Sequence, residues 1–313
     1  MAEKTSKKLV SIIIVTYNRE KKALACLKSV HKIDYPNIEV ILVDNGSRDN
    51  TIKIVRNQFP RVKIVALEKN LGLNTGKNAG QKKAKGKYIF FLDSDTLVNK
   101  NIIKHLVKLA ESDKNIGIVC PKMYYEHPKN VVWYAGASIN LLTSRTKNHG
   151  CNQKDTGQYD FVCPTQFAPT AYLVSLKAVN QLKSHNQSLF MTYGDTDYGL
   201  RAKKMGFKVM FCPQAKLWHR LNQKENTQTI RELGFNAPLR AYYFARNRVI
   251  FMKKHASKIN FIIFMVIFFP IFTLYISYKI IAYKNYKFLA PHWQGTIDGL
   301  KYLINGQIKN RWQ

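Results

Sequence analysis

Two carboxylates, Asp93 and Asp95, stand one residue apart directly after the apolar run YIFFL. They flank Ser94 at a point where a buried strand is predicted to end, so both can turn into one crevice. There they can hold a hard divalent cation that also binds a diphosphate. Asp is common in turns, and the position of this pair at a strand end is what favours a metal site over an ordinary turn.

Asp44 closes a second apolar run and opens the segment DNGSRDNT. An ordinary reading is a turn and helix cap, but Asn50 or Thr51 can cap the helix that follows. Asp44 precedes that cap by several residues. It is therefore free to bind a ligand such as the imide N–H of a uracil-type base.

A second acidic segment, GDTD at residues 194–197, precedes a predicted helix over 198–205. One of its carboxylates can cap that helix, and the other is then available as a general base. His219 follows further along, after a predicted strand over 208–212. A lone His is commonly structural, but close to the acidic pair it can be a third metal ligand through its neutral imidazole.

The elements that must position these residues show two hydrophobic periods. Short apolar runs rich in β-branched residues predict strands over 9–16, 38–44, 62–67, 88–93 and 116–120. Apolar residues at helical spacing predict helices over 19–33, 51–59, 75–84 and 99–112. This alternation predicts an α/β fold with a mostly parallel sheet that helices cover on both faces. Ligands of such sheets bind outside the carboxyl ends of the strands, where Thr16, Tyr17, Asp44 and Asp93 fall.

The overall charge narrows the choice of partners. The 313 residues include 50 Lys and Arg against 19 Asp and Glu, a formal net charge of +31, and 46% are hydrophobic. This composition excludes a disordered chain and favours anionic partners: phosphate-bearing substrates, anionic lipid or nucleic acid. The aromatic residues lie in apolar strands rather than among the basic ones, and no known nucleic-acid motif is present, so we expect no nucleic acid as a partner.

The 5 cysteines are odd in number and include no CxxC spacing, which argues against a disulfide framework or a zinc ribbon.

Residues 259–278 carry no charge. As a helix they would span roughly 30 Å, the thickness of a bilayer core, and the alternative is a buried core helix. Pro270 in the middle leaves open a single pass or a re-entrant hairpin. The numbers of basic residues on the two sides of this segment are equal, so they do not set its orientation in the membrane.

The start of the chain, MAEKTSKKLV, lacks the apolar stretch of a secretory signal. We therefore expect a catalytic domain in the cytoplasm, at the cytoplasmic membrane.

Five segments together resemble the inverting family 2 glycosyltransferases of the GT-A fold. They occur in the order that this family shows: VSIIIVTYNRE, ILVDNGSRDNT, NLGLNTGKNAG, AKGKYIFFLDSDT and YGDTDYGLRAKKMGFKVMFCPQAKLWH. RAYYFARNRVIFMKKH and the hydrophobic segment after it resemble the rhamnosyltransferase-like branch. The resemblance implies a GT-A domain over 1–255, with a nucleotide-sugar half over about 8–120 and an acceptor half over about 121–255. A membrane segment over 256–284 and a basic amphipathic tail over 285–313 would follow.

The resemblance also implies roles for single residues. The nucleotide-sugar would contact Thr16, Tyr17, Asp44, Lys77, Asp93 and Ser94. Asp93, Asp95 and His219 would hold Mg²⁺ or Mn²⁺, and Asp195 would be the base. Two positions depart from the family pattern: Gly194 stands where Glu is usual, and Lys77 where Arg is usual, which reduces a bidentate contact to a point charge.

The expected function is metal-dependent, inverting transfer of a sugar from a UDP- or dTDP-sugar to a lipid-linked or cell-surface glycan. The expected partners are the nucleotide-sugar donor, a glycan or polyprenyl-diphosphate-linked acceptor, and anionic membrane lipid. The alternative is a membrane-bound sugar-nucleotide binding protein without transfer activity, which the missing Glu at position 194 suggests.

Overall fold

The computed structural model describes residues 8–222, 233, 235–308, 310 and 311 of the chain. The start of the chain, from which the absence of a secretory signal was predicted, lies in part outside the described residues, as does Lys309 of the basic tail.

The first part of the chain alternates strands and helices as the hydrophobic pattern predicts. In chain order the elements are β1 (Val10–Thr16), α1 (Glu20–Val30), β2 (Ile38–Asp44), α2 (Thr51–Gln58), β3 (Lys63–Ala66), α3 (Leu73–Gln81) and β4 (Tyr88–Asp93). The four strands are parallel and lie in the order β4-β1-β2-β3. Every residue of β1 is buried because the sheet is covered on both faces.

The second part of the chain completes a mixed sheet. Its elements in chain order are β5 (Thr96–Val98), α4 (Ile102–Glu111), β6 (Ile116–His127), β7 (Val131–Tyr134), β8 (Ala137–Ile139), β9 (Thr146–Asn148), β10 (Gln153–Lys154), β11 (Cys163–Pro164), β12 (Ala171–Ser175), α5 (Leu176–Leu182), α6 (Gly194–Lys204) and β13 (Lys208–Asn222). Strand β12 runs antiparallel between β4 and β6, and β13 runs parallel to β6 and antiparallel to β5.

Two strands are longer than the sequence predicts. The prediction ends them at residues 120 and 212, whereas β6 and β13 continue to His127 and Asn222. The register between the two strands shifts after Cys212, so a bulge takes up Pro213, which has no N–H to donate to a ladder. The extension of β13 carries His219 to the end of the sheet where β4 also ends.

In the described residues after β13, three α-helices follow: α7 (Pro238–His255), α8 (Lys258–Ala282) and α9 (Leu289–Asn305). By its length and composition, helix α8 is long and apolar enough to cross a membrane. It runs through Pro270 without reversing, because the turns at Phe264–Phe268 are π-helical and accommodate a residue that lacks an N–H. The re-entrant hairpin that the sequence left open is therefore not formed.

Candidate active site

The carboxyl ends of three parallel strands bring the predicted donor residues together. The register places Thr16 of β1 opposite Asp44 of β2, and Val15 opposite Asp93 of β4. Thr16 Oγ1, Asp44 Oδ2 and Asp93 Oδ1 are buried, and within the described part of the chain none of these oxygens has a hydrogen-bond partner. Buried polar atoms nearly always have a hydrogen-bond partner, so three neighbouring oxygens without one indicate a ligand site.

The loop after β2 leaves one oxygen of Asp44 unpaired, and the ligand predicted to bind it stays a prediction. Asp44 Oδ1 accepts a hydrogen bond of 2.8 Å from the Ser47 N–H, which fixes the carboxylate, and buried Oδ2 has no hydrogen-bond partner among the described residues. The Asn50 side chain does not cap α2, contrary to the expectation; Asp49 accepts from the Thr51 N–H instead, so that helix needs nothing from Asp44. Tyr17, at the end of β1, is 40% exposed at the mouth of the same site.

The pair Asp93 and Asp95 lies at the end of β4 with Ser94 buried between them. Asp95 Oδ1 lies 3.3 Å from His219 Nε2, and its other oxygen accepts from Arg19 Nη1. Burial favours the neutral acid, but the hydrogen bond from His219 and the charge of Arg19 hold the pKa of Asp95 well below its usual value.

Asp93 has the opposite electrostatic balance. Burial raises the pKa of Asp93 to about 6, Lys77 opposes that rise, and the charges of Asp95 and Asp195 add to it. These interactions mean that Asp93, Asp95, Lys77 and Asp195 belong to one site, although they lie far apart in the sequence. Arg240, at the start of α7, also interacts electrostatically with Asp93 and Asp95.

The predicted metal site has side chains of the right donor types, but they are not arranged around a common point as the ligands of an ion would be. Among the residues that the structure describes, no three His, Cys, Asp or Glu side chains are grouped to hold an ion. His219 and Arg19 are instead bonded to Asp95, so Arg19 neutralises the carboxylate that a cation would bind. Two carboxylates, one with an unpartnered buried oxygen, fit a hard divalent cation once Arg19 gives way. The ligand set of Asp93, Asp95 and His219 stays a prediction.

Asp195 lies in the first turn of α6 rather than before the helix. Its Oδ1 accepts a hydrogen bond of 2.6 Å from Lys77 Nζ and one of 2.8 Å from the Tyr172 hydroxyl. Lys77 is almost fully buried, and the Tyr172 hydroxyl also lies 2.7 Å from His185 Nε2. Both hydrogen bonds fall on the same oxygen, so within the described part of the chain Oδ2 has no hydrogen-bond donor. The predicted contact of Lys77 with the nucleotide stays a prediction, because in this structure Lys77 holds Asp195.

Asp197, the other carboxylate of the segment, is structural. It is fully buried and accepts hydrogen bonds from Arg201 Nε at 2.9 Å and His255 Nε2 at 2.8 Å, and it also pairs with Lys254 at 2.7 Å. Burial would raise its pKa, but the hydrogen bond from His255 and the charge of Arg201 hold that pKa well below its usual value. These contacts tie α6 to the end of α7. Neither carboxylate caps α6, contrary to the expectation that one of them would.

The chain is strained just before Asp195. Thr192 and Tyr193 adopt φ values of +60° and +56°, which residues other than Gly rarely do. Two consecutive residues of this kind are typical of a functional site, where the surrounding structure holds a costly backbone shape. Here the turn aims Asp195 at Lys77 and Tyr172.

A steric contact explains why residue 194 is a glycine. A Cβ at this position would lie 2.5 Å from Asn74 Nδ2, well inside contact distance. Asn74, on α3, is buried and donates to the backbone oxygens of Asn186 at 2.8 Å and Leu189 at 3.4 Å. The space that a side chain at position 194 would need is therefore filled by Asn74.

Sequence reasoning missed several residues that this geometry includes. They are Arg19, Asn74, Tyr172, His185 and Arg240. Arg19 lies within the segment VTYNRE. Its position shortly after the end of a strand could have indicated that it lies at the ligand-binding edge of the sheet. Tyr172 and His185 gave none, because Tyr172 reads as a strand residue and His185 as an isolated polar one.

Comparison with known proteins bears on the family and the fold of the chain. The family model described as glycosyl transferase family 2 matches residues 11–169. The chain is 27% identical over 299 residues to the dTDP-rhamnosyl transferase RfbF of Shigella flexneri, which covers 94% of this chain and 96% of that protein. It is 30% identical over 186 residues to the glycosyltransferase GlyG of Streptococcus pneumoniae, which covers 58% of this chain and 62% of GlyG.

Solved structures share the fold over nearly the whole chain. The mannosyltransferase PcManGT from Pyrobaculum calidifontis, solved in complex with GDP-Man and Mn²⁺, superposes with a TM-score of 0.59 at 14% identity, over 95% of this chain and 88% of that one. Residues 1–349 of Staphylococcus aureus TarS superpose with a TM-score of 0.55 at 17% identity, over 96% and 92%. Both neighbours are glycosyltransferases of the GT-A fold. From the family match and the shared fold we conclude that the chain is an enzyme that belongs to glycosyl transferase family 2.

Proposed function

We propose that this enzyme transfers a sugar from a UDP- or dTDP-sugar to a hydroxyl of a glycan acceptor, with inversion at the anomeric carbon and with a divalent cation. One observation carries the proposal: Thr16 Oγ1, Asp44 Oδ2 and Asp93 Oδ1, three buried oxygens without hydrogen-bond partners among the described residues, lie at the ends of adjacent parallel strands. The diphosphate would be held at these strand ends, and Asp195, which Lys77 holds, would accept the proton.

The donor base would lie at the ends of β1 and β2. Asp44 Oδ2 and Thr16 Oγ1 are the unpartnered polar atoms there. A carboxylate that lacks a donor suits the imide N–H of uracil or thymine, and the exposed ring of Tyr17 stands at the entrance. The name of RfbF, a dTDP-rhamnosyl transferase, supports a pyrimidine nucleotide.

The diphosphate would lie against Asp93 and Asp95 through a cation. Mg²⁺ or Mn²⁺ bound there would neutralise the charge that develops on the departing diphosphate. The Mn²⁺ in the complex of PcManGT supports a divalent ion. Arg19 and Arg240 can add their charges to the same diphosphate when Arg19 leaves Asp95.

The acceptor hydroxyl would approach Oδ2 of Asp195. That oxygen takes the proton while the hydroxyl oxygen forms its bond to the anomeric carbon and the bond from that carbon to the diphosphate breaks. Lys77 and Tyr172 stay hydrogen-bonded to Oδ1 throughout, so the carboxylate keeps its orientation. We place the acceptor, a lipid-linked or cell-surface glycan, at the cytoplasmic membrane, because α8 is apolar and basic residues flank it.

The alternative of a binding protein without transfer activity rests on Gly194. Asn74 fills the space of the missing side chain, so this departure does not by itself remove the base. Both possibilities bind a nucleotide-sugar, and only the transferase releases the nucleotide.

The test is nucleotide release from a panel of UDP-Glc, UDP-Gal, UDP-GlcNAc, dTDP-Rha and GDP-Man, with Mn²⁺ and with Mg²⁺. Asp195→Asn should lower kcat about 10²–10⁴-fold while donor binding persists, because a positioned base contributes about that factor. Asp93→Asn should weaken cation-dependent donor binding. Asp113→Asn is the matched control, since this carboxylate lies on the surface, where it pairs with Lys208 and accepts from the Asn115 N–H. Near-normal turnover by Asp195→Asn would contradict the base, and binding without release from any donor would favour the alternative.

A further inference from the structure

Helix α8 exposes apolar residues and buries a mixture of apolar and polar ones. Its buried side includes the polar residues Thr273 and Ser277, whose hydroxyls donate to the backbone oxygens of Phe269 and Thr273, both at 2.8 Å. Apart from Lys258 at its start, its large exposed side chains are aliphatic or aromatic: Ile259, Ile262, Val266, Ile267, Ile271, Leu274, Tyr275, Tyr278 and Ile281. A surface helix in water places its polar residues outside and its apolar residues inside. The outer face of α8 is therefore built for an apolar medium.

Helix α9 also exposes apolar residues and buries polar ones. Trp293, Ile297, Leu300 and Ile304 are exposed, and their spacing of four, three and four residues puts them on one face. The residues that α9 buries include His292, Thr296 and Asp298. Asp298 accepts from the Tyr242 hydroxyl at 2.7 Å and from Arg311 Nε at 2.8 Å, so the acidic group of this helix points inward, whereas Lys301 is exposed.

We propose that the exposed stripes of α8 and α9, which we call the apolar face, dock on an anionic lipid bilayer, and that α8 lies along the membrane surface instead of crossing it. This docking surface rests on the membrane location that is part of the proposed function, but not on the transfer reaction. Contiguous apolar patches of this kind mark protein or membrane contacts, and α8 is the part of the described chain that is apolar enough to enter lipid.

The packing of α8 argues against a helix that crosses. Phe264 and Phe269 belong to the main core, and Ile276 and Ile280 belong to a second cluster with Phe288. The protein body therefore runs along α8 from residue 264 to 280, about 24 Å of helix. A crossing helix would pull that body into the hydrocarbon.

A buried charge beside the middle of α8 leads to the same conclusion. The Arg248 guanidinium stacks 4.9 Å from the centre of the Phe272 ring. If α8 crossed a bilayer, this charge would lie near the midplane, where an arginine is costly. With α8 along the surface, Arg248 stays on the protein side of the helix.

The border of the apolar face favours anionic headgroups. From residue 240 onward the sequence has twelve Lys and Arg and one acidic residue, Asp298, which is buried. Lys258, Lys284 and Lys287 are exposed at the two ends of α8. Tyr278 and Trp293 are aromatic residues of the kind that settles at the headgroup level. A second copy of the chain, which would carry the same positive charge, fits this border less well.

The first experiment measures flotation with vesicles of phosphatidylcholine alone and of phosphatidylcholine with phosphatidylglycerol. We expect binding to the anionic vesicles that weakens with salt. The double variant Ile262→Glu, Leu274→Glu should lose about 100-fold or more of this binding, since each substitution removes a large apolar side chain from lipid. Met205→Glu, at a residue 46% exposed away from α8 and α9, is the matched control and should bind as the parent does.

The second experiment separates the two orientations. Trp is introduced at Ile262, Ile271 or Ile281, and its quenching by lipids brominated at different depths is measured. Equal, shallow depths support a helix along the surface, whereas a deep middle with shallow ends would overturn it. A parent that is dimeric and does not bind vesicles, with a double variant that is monomeric, would assign the apolar face to a second copy and also overturn the proposal. Vesicle binding needs no donor and nucleotide release needs no vesicles, so failure of the docking surface and failure of the transferase are distinguishable.

Discussion

The pair Gly194 and Asn74 can be tested by a double-mutant cycle. Gly194 has an ordinary negative φ, so Gly194→Ala brings no backbone strain, and the three atoms nearest to the new Cβ all belong to the Asn74 amide, with Nδ2 2.5 Å away. Relieving that overlap displaces Asn74 from its hydrogen bonds to Asn186 and Leu189. Overpacking costs about 1–3 kcal/mol and an unsatisfied buried carbonyl about 1–3 kcal/mol. We expect Gly194→Ala to lower the free energy of unfolding by about 2–4 kcal/mol, within these ranges.

The second half of the cycle is Asn74→Ala, which removes the amide and leaves the Asn186 carbonyl without its donor. Its expected cost is about 1–3 kcal/mol. In the double variant the new methyl group enters space that Asn74 has vacated, so the overlap of about 1–3 kcal/mol disappears and the lost hydrogen bonds are counted once. The double variant should therefore lose at least about 1–2 kcal/mol less than the sum of the single variants.

The assay is urea unfolding at constant pH, with nucleotide release measured on the same preparations. Additive losses within about 0.5 kcal/mol would refute the steric explanation of Gly194. The activity readout adds a second requirement. Asn74→Ala with Gly194→Ala should keep more turnover than Gly194→Ala alone, because the first turn of α6, which carries Asp195, regains its position.

Three further predictions concern neighbours of the site and the helical part of the chain. Tyr172→Phe should lower kcat about tenfold and leave the donor KM unchanged, since it removes one hydrogen bond to a charged group; an equal change in KM would assign Tyr172 to donor binding. Asp197→Asn should cost about 3–5 kcal/mol at pH 7, because Lys254 and Arg201 lose a buried partner. The depressed pKa of Asp197 means that this cost shrinks as the pH falls below about 4, and urea unfolding at pH 7 and at about pH 2.5 checks the sign. Burial and the charge of Arg248 lower the pKa of His292 to about 4, so His292 stays neutral in the folded protein while the unfolded chain binds a proton below pH about 6.5. The parent should therefore lose up to about 3 kcal/mol of stability as the pH falls from 6.5 to 4, and His292→Phe should lack this part; identical pH profiles of the two proteins would contradict it.

The sequence predicts what depends on local pattern. The parallel strands and the polar clusters at their ends follow from apolar runs and their punctuation, which is why Thr16, Asp44 and Asp93 meet where expected. Long-range pairs do not follow from such patterns. Lys77 and Asp195 are 118 residues apart, and nothing in either segment indicates that one neutralises the other.

The hydrophobic segment shows a different limit of sequence reasoning. Its composition indicates a helix for an apolar environment, but a buried helix, a crossing helix and a helix along the membrane share that composition. The faces decide between them, and they are known only once the partners of Phe264, Thr273 and Ile280 are known. The inward position of Thr273 and Ser277 is the informative observation, because among aliphatic neighbours these two residues show which side is protein.

Helix α7 joins the apolar face to the chemistry. Arg240 at its start acts on Asp93 and Asp95, and His255 at its end bonds to Asp197, two residues from the proposed base. On its outer side α9 packs tightly, since a Cβ at Gly295 would lie 2.9 Å from the Tyr242 carbonyl carbon. One helix therefore links the predicted cation ligands, the segment of the proposed base and the helix proposed to dock on the membrane. If α8 and α9 dock as proposed, an acceptor held by lipid would reach Asp195 from a surface whose position α7 fixes, and the same helix would set both the orientation of the enzyme on the membrane and the position of its base.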